Sequence, residues 1–137
     1  MPSPTFVIAV VDDDGFLREA LGSLLAAHGY QAELYDSAEE FLASLAWSKA
    51  QCLLLDVHLD GACGIELGRG LAAAGRRFPI IYMTGSPDEA LRGRALDAGC
   101  VAFLTKPFTP VALAEAVMAA RRRGEPNAMP APRVCTS

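Results

Sequence analysis

Short apolar runs alternate along the chain with stretches whose apolar residues recur every three or four positions. "FVIAVV" (6–11) is rich in β-branched residues and is flanked by turn formers, which predicts a buried strand. Leu17, Ala20, Leu21, Leu24, Leu25 and His28 then share one helical face, and Gly29 supplies the stop. "QAELY" (31–35) predicts a second strand. Ser37 opens a second helix, with Glu40 placed for a capping box and Ala38, Phe41, Leu42 and Leu45 on its apolar side. "CLLLD" (52–56) is the third strand, followed by a helix over 64–74 that stops at Gly75.

"IIYMT" (80–84) is the fourth strand, entered through Pro79. "SPDE" (86–89) predicts a helix start with Ser86 as cap, Pro87 at the first position and an acid at the third; that helix ends near Gly99. "CVAFL" (100–104) is the fifth strand. A last helix after "TKPFTP" carries Leu113, Ala116, Val117 and Ala120 on one face. Five strands alternating with five helices imply crossover connections and a mainly parallel sheet, hence an α/β fold in a single domain. Beyond Arg123 the tail is rich in Pro and polar residues, so the domain is expected over 1–123 and a disordered tail over 124–137.

Composition narrows the function classes. The chain has 137 residues, 52 % hydrophobic and 20 % charged, enough apolar material for one real core. A formal net charge of −4 disfavours nucleic acid and anionic membrane as direct partners. No apolar run reaches the ~20 residues of a membrane span, and the start lacks the basic segment of a signal peptide. A cytoplasmic location is therefore expected. Cys52, Cys63, Cys100 and Cys135 form no C-x-x-C pair, and His28 and His58 show no zinc-type spacing, so reduced thiols are expected rather than a zinc site.

The chemistry gathers at the strand ends. In an open parallel α/β sheet the C-terminal ends of the strands carry the functional loops. There stand Asp12, Asp13 and Asp14 after the first strand, Asp56 at the end of the third, Thr84-Gly85-Ser86 after the fourth and Lys106-Pro107 after the fifth. Each has an ordinary reading on its own. Asp14 suits a helix cap, Asp56 a turn, Thr84 a strand residue, and Lys106 a solvated cation. Together they place three carboxylates on one edge, which repel one another unless cations compensate. Lys106 supplies one charge, and a hard divalent cation would supply the rest. Carboxylate, lysine, hydroxyl and metal are the parts that phosphoryl transfer uses.

With "VDDD" on the first strand, "TG" on the fourth and "KPF" after the fifth, the chain resembles a response-regulator receiver domain over about residues 5–121. This is the phosphoacceptor module of two-component signalling. The resemblance implies a flavodoxin-like, doubly wound sheet in the order 2-1-3-4-5. It implies Asp56 as phosphoacceptor and Mg²⁺ (or Mn²⁺) held by Asp13 directly, by Asp12 largely through water, by Asp56, and by the backbone carbonyl of His58. It implies Thr84, Gly85 and Lys106 around the phosphoryl group, Thr84 and Phe103 as a switch, and a cis Lys106–Pro107 bond.

The implied partners are a sensor histidine kinase or phosphotransfer protein, and a downstream protein target. A homodimer through the face of helix four, strand five and helix five is an open alternative. Asp60 stands where the family usually has proline, and Ala62 where it often has methionine. A binding-only pseudo-receiver is the rival reading, but Asp56, Lys106 and the acid pair are all retained. A flavodoxin-type FMN carrier conflicts with three aspartates after the first strand. A dehalogenase-type phosphatase would want D-x-D-x-T there. The output is expected through another protein rather than DNA, the competing expectation being a fragment of a longer DNA-binding regulator.

Overall fold

The computed structural model describes residues 5–59, 61–86, 88–123 and 134–135. Its sheet contains β1 (Val7–Val11), β2 (Gln31–Tyr35), β3 (Cys52–Asp56), β4 (Ile80–Thr84), β5 (Ala102–Thr105) and β6 (Val134–Cys135). The strands lie in the order β2-β1-β3-β4-β5-β6, all parallel. The helices are α1 (Gly15–Ala27), α2 (Ala38–Ser44), α3 (Gly64–Ala73), α4 (Glu89–Asp97) and α5 (Pro110–Arg123). The first five strands thus follow the expected order 2-1-3-4-5.

The unbroken apolar runs have a direct cause. β1, β3 and β4 are buried at every position because helices cover both faces of the sheet. Successive side chains point to opposite faces, so the core splits in two. Ile8, Val10, Leu54, Ile81 and Leu104 pack with Leu21 and Leu25 of α1 and Leu113 and Val117 of α5. Ala9, Val11, Leu53, Leu55, Tyr82 and Phe103 pack with Phe41 of α2, Ile65 and Leu71 of α3, and Leu91 and Ala95 of α4. β2 mixes exposed and half-buried positions, as its edge place requires.

Two boundaries and one added ladder differ from the sequence reading. α4 is capped by Asp88, whose carboxylate accepts the Leu91 N–H at 2.6 Å, and not by Ser86. The Ser86 N–H is taken by the Thr84 hydroxyl at 3.1 Å, which holds that segment out of the helix; Pro87 lies outside the described residues. β5 begins at Ala102 rather than at 100, because the Cys100 N–H donates back to Ala95 O and closes α4. A two-residue antiparallel ladder, His58–Leu59 with Ala62–Cys63, follows β3 and was not anticipated. The Asp60-Gly61 pair, a common hairpin turn signal, could have found it.

The expectation of a disordered tail falls largely on 124–133 and 136–137, outside the described residues. Val134–Cys135 departs from it. This pair lies beside β5, with Ala102 opposite Val134 and Phe103 opposite Cys135. It satisfies part of what would otherwise be an open sheet edge. Among the described residues no helix is long and apolar enough to cross a membrane.

Candidate functional site

β1 and β3 are neighbours, so the residues that end them lie side by side. The backbone runs on from buried Val11 into Asp12, whose N–H donates to Tyr35 O at 3.2 Å. Asp12 is fully buried and Asp56 is 5 % exposed. A buried carboxylate must have partners, and both do. Asp12 Oδ1 accepts the Asp14 N–H at 2.9 Å, and Asp56 Oδ1 accepts the His58 N–H at 3.0 Å. Lys106 Nζ bridges the two remaining oxygens, 2.9 Å from Asp12 Oδ2 and 3.1 Å from Asp56 Oδ2.

Asp13 is exposed and completes the cluster. Asp12, Asp13 and Asp56 each offer a carboxylate oxygen, all within 4.8 Å of one another. Octahedral Mg²⁺ at about 2.0–2.1 Å from each ligand needs oxygens roughly 3–4 Å apart, so small side-chain adjustments suffice. The donor set is all oxygen and carries three negative charges against one lysine. These residues fit a hard divalent cation.

The electrostatics agree with that imbalance. Burial pushes the Asp56 carboxyl above its usual range, and the Asp12 charge adds to the rise; the His58 N–H and Lys106 oppose it without cancelling it. For Lys106, burial alone would depress the ammonium. Its bonds to Asp12 and Asp56 outweigh burial and leave it raised, so it stays charged.

The surrounding residues fall where the strand ends carry them. Thr84 closes β4 and is fully buried, with Asp56 paired to its neighbour Met83 in register. A Cβ added at Gly85 would meet nothing within 4 Å, so the side of the site at Gly85 is open. The Lys106–Pro107 bond is cis, which only an X-Pro bond adopts at modest cost. It follows the Lys106 N–H bond to Thr84 O at 2.7 Å, which ties the end of β5 to β4. Phe103 is fully buried, its ring turned into the core on the α4 side with the Arg92 guanidinium 5.8 Å from its centroid. His58 contributes its N–H to Asp56 while the residue itself is exposed. Asp60 lies outside the described residues.

Two residues near the acids were missed. Arg18, in the first turns of α1, donates to the Asp12 carbonyl at 2.8 Å. Phe16 stands 92 % exposed at the start of the same helix. An arginine four residues after a cap, or an aromatic two after it, carries no sequence signal of a site. Asp14 takes the bland role expected of it, accepting the Phe16 and Leu17 N–H groups at 3.0 and 3.2 Å as the cap of α1.

Gly64 sets the floor of the site. A Cβ there would run into the backbone carbonyl of Asp56. Backbone on backbone cannot yield as a flexible side chain can. Gly64→Ala should therefore lower stability by more than about 2 kcal/mol and displace Asp56. Chemical denaturation measures this; an unchanged midpoint would show that the loop relaxes freely.

Comparison with known proteins gives a consistent picture. The family description "Response regulator receiver domain" matches residues 8–118. The chain is 38 % identical over 128 residues to the response regulator protein TodT of Pseudomonas putida, covering 93 % of this chain and 56 % of TodT. It is 39 % identical over 121 residues to the transcriptional regulatory protein FixJ of Bradyrhizobium diazoefficiens, covering 88 % of this chain and 59 % of FixJ. The chain thus spans somewhat over half the length of these curated relatives. A solved response regulator receiver protein from Pseudomonas putida superposes with a TM-score of 0.80 at 30 % identity, covering 85 % of this chain and 98 % of that one.

Proposed function

The chain belongs to the response-regulator receiver family, a signalling module of two-component systems, and from that premise we propose that it takes a phosphoryl group from a histidine kinase onto Asp56. The observation that carries this reading is the buried Asp56 carboxylate, bonded to Lys106 and within 4.8 Å of two further carboxylates. An Asp56 oxygen attacks phosphorus of a phosphohistidine. The P–O bond forms as the P–N bond breaks, and the electron pair leaves on the imidazole nitrogen. Lys106 keeps the nucleophile ionised against the pull of burial, then pairs with a phosphoryl oxygen. The Thr84 hydroxyl and the open backbone at Gly85 receive the other oxygens.

Mg²⁺ (or Mn²⁺) would be held by Asp12, Asp13, Asp56 and the His58 carbonyl, and when bound it neutralises phosphoryl charge. Turnover is limited to self-phosphorylation and loss of the phosphoryl group, so the chain is a switch and not a metabolic enzyme. It works in the cytoplasm, where histidine kinases present their phosphoryl groups.

Thr84 and Phe103 carry the signal outward. Drawing the Thr84 hydroxyl toward a phosphoryl oxygen favours the inward Phe103 ring. That ring is already buried here, so the step is a population shift. The reading surface is the face of α4, β5 and α5, where a downstream protein or a second copy docks; Val111 and Met118, seven residues apart, are exposed on α5.

A second reading has one observation in its favour. FixJ is named a transcriptional regulatory protein, and TodT and FixJ both extend well beyond the matched part. Under it the same switch governs a DNA-binding effector within a longer regulator.

Incubation with acetyl phosphate tests the central reading. We expect an intact-mass gain of one phosphoryl group with Mg²⁺ and none with excess chelator. Gain that ignores the chelator would remove the metal from the proposal, and no gain with Mg²⁺ would favour a binding-only module.

A further inference from the structure

At the opposite pole from the carboxylates, below the N-terminal end of β4, lies a half-open cavity of about 350 Å³ between α3, the turn that follows α4 and the end of α5. Arg76, Arg77 and Arg123 surround it, and among the described residues no acidic side chain is in its lining. That is a local excess of cations on a chain whose formal net charge is −4. None of the three guanidiniums has a carboxylate partner among the described residues. Arg76 lies over the Phe78 ring at 5.6 Å and reaches Leu45 O at 3.5 Å, and Arg123 donates to Gly99 O at 3.1 Å.

The wall adds a second, independent observation. Tyr82 lines the cavity and is 1 % exposed, yet its hydroxyl makes no hydrogen bond among the described residues. A buried hydroxyl without a partner costs free energy, and native proteins rarely leave one so. Nor can the ring simply retreat, because the hydroxyl is packed against Gly68, where an added Cβ would strike it. Burial raises the phenol pKa, so the group is a neutral donor at physiological pH. Phe78, Pro79 and Ile80 add apolar surface to the same lining.

We propose that this cavity is a second ligand site, remote from the phosphoacceptor, which takes a small organic anion. Its anionic group meets the arginines, its flat apolar body lies against Phe78 and Pro79, and an oxygen at its far end meets the Tyr82 hydroxyl. The volume suits a ligand of this size, within the range of ordinary small-molecule pockets. The site is regulatory by position. Tyr82 is the register partner of Phe103 across β4 and β5, and both belong to the same buried cluster. An occupant that fixes Tyr82 therefore acts on the packing around Phe103. The site stands on the cavity alone and does not depend on phosphorylation of Asp56.

The probe is 4-hydroxybenzoate, titrated into the full chain and followed by backbone amide chemical shifts. We expect saturable shifts at Gly68, Ile80, Tyr82 and Gly99, with smaller ones at Phe103. Phenol lacks the charge and inorganic phosphate lacks the body, so each should bind at least about tenfold more weakly. Tyr82→Phe should weaken 4-hydroxybenzoate about threefold to tenfold, the loss of one buried hydrogen bond, and Arg77→Ala by about tenfold. Arg77 is an exposed residue whose loss leaves the fold intact, so it keeps the test open if Tyr82→Phe destabilises the core. Absence of saturable shifts in the millimolar range, phosphate binding as tightly as 4-hydroxybenzoate, or indifference to both substitutions would each overturn the proposal.

Discussion

Asp56→Asn takes up no phosphoryl group from acetyl phosphate and unfolds at a higher temperature than the parent chain. Both expectations follow from one change. The asparagine side chain is nearly isosteric. Its carbonyl oxygen can still accept the His58 N–H that Asp56 Oδ1 accepts at 3.0 Å, so the loop after β3 keeps its anchor. What disappears is a nucleophilic carboxylate and a buried negative charge beside Asp12. The raised Asp56 pKa fixes the sign of the stability effect. A group whose folded pKa lies above its unfolded one contributes stability when protonated, and loses that contribution as pH rises through the folded value. At neutral pH the ionised form is therefore a cost, and the neutral amide escapes it.

The gain should be largest at neutral pH and should fade as pH falls through the carboxylate range, where the parent's Asp56 also becomes neutral. Melting curves at several pH values without Mg²⁺ check this, with intact mass reporting the phosphoryl group. Undiminished labelling of Asp56→Asn would move the phosphoacceptor elsewhere. Equal stability across the pH range would mean that Lys106 fully compensates both acids.

Much of this was legible in the sequence, for a physical reason. A parallel sheet covered on both faces buries whole strands, so "CLLLD" and "IIYMT" stand out as unbroken runs, and Asp56 and Thr84 at their ends stand out in turn. The convergence of Asp12 and Asp56 then follows from strand order, since residues that end neighbouring parallel strands share one edge, and Lys106, after β5, reaches them from the far side of β4. What could not be read depends on contacts distant in sequence or on competition between near-equal local signals. Ser86 and Asp88 both qualify as caps, and the choice was made by the Thr84 hydroxyl, which claims the Ser86 N–H. The basic cavity was invisible because Arg76, Arg77 and Arg123 meet only once α3 and α5 pack on the sheet, and Tyr82 reads in sequence as one more strand aromatic. Val134–Cys135 sits in a segment whose proline-rich composition outvoted a two-residue strand.

Lys106→Met makes stability depend on Mg²⁺ and on acid. Methionine keeps the length of the side chain, and it deletes the ammonium that bridges two buried carboxylates. Removing one partner from a buried ion pair typically costs 3–5 kcal/mol, because the other charge stays behind unpaired. Here Lys106 is itself about one-fifth exposed and Asp12 keeps its bond from the Asp14 N–H, so about 3 kcal/mol is the expected loss at neutral pH without metal. The raised Lys106 pKa gives the sign: its contribution is fully present below the ordinary lysine value and is lost only as pH rises through the higher folded one. The parent therefore holds it throughout the neutral range.

In the variant, nothing restrains the rise that burial imposes on Asp56 except the His58 N–H. Its stability should climb as pH falls through the carboxylate range, where the parent gains less. A divalent cation bound by Asp12, Asp13 and Asp56 supplies the missing charge, so saturating Mg²⁺ should return most of the loss, by mass action on the folded state. Denaturation midpoints with Mg²⁺ and with chelator, at pH 5 and pH 7, separate these effects. A variant as stable as the parent in chelator would show that solvent already screens the acids, while recovery in acid without recovery in Mg²⁺ would confirm the electrostatics and remove the metal from the site.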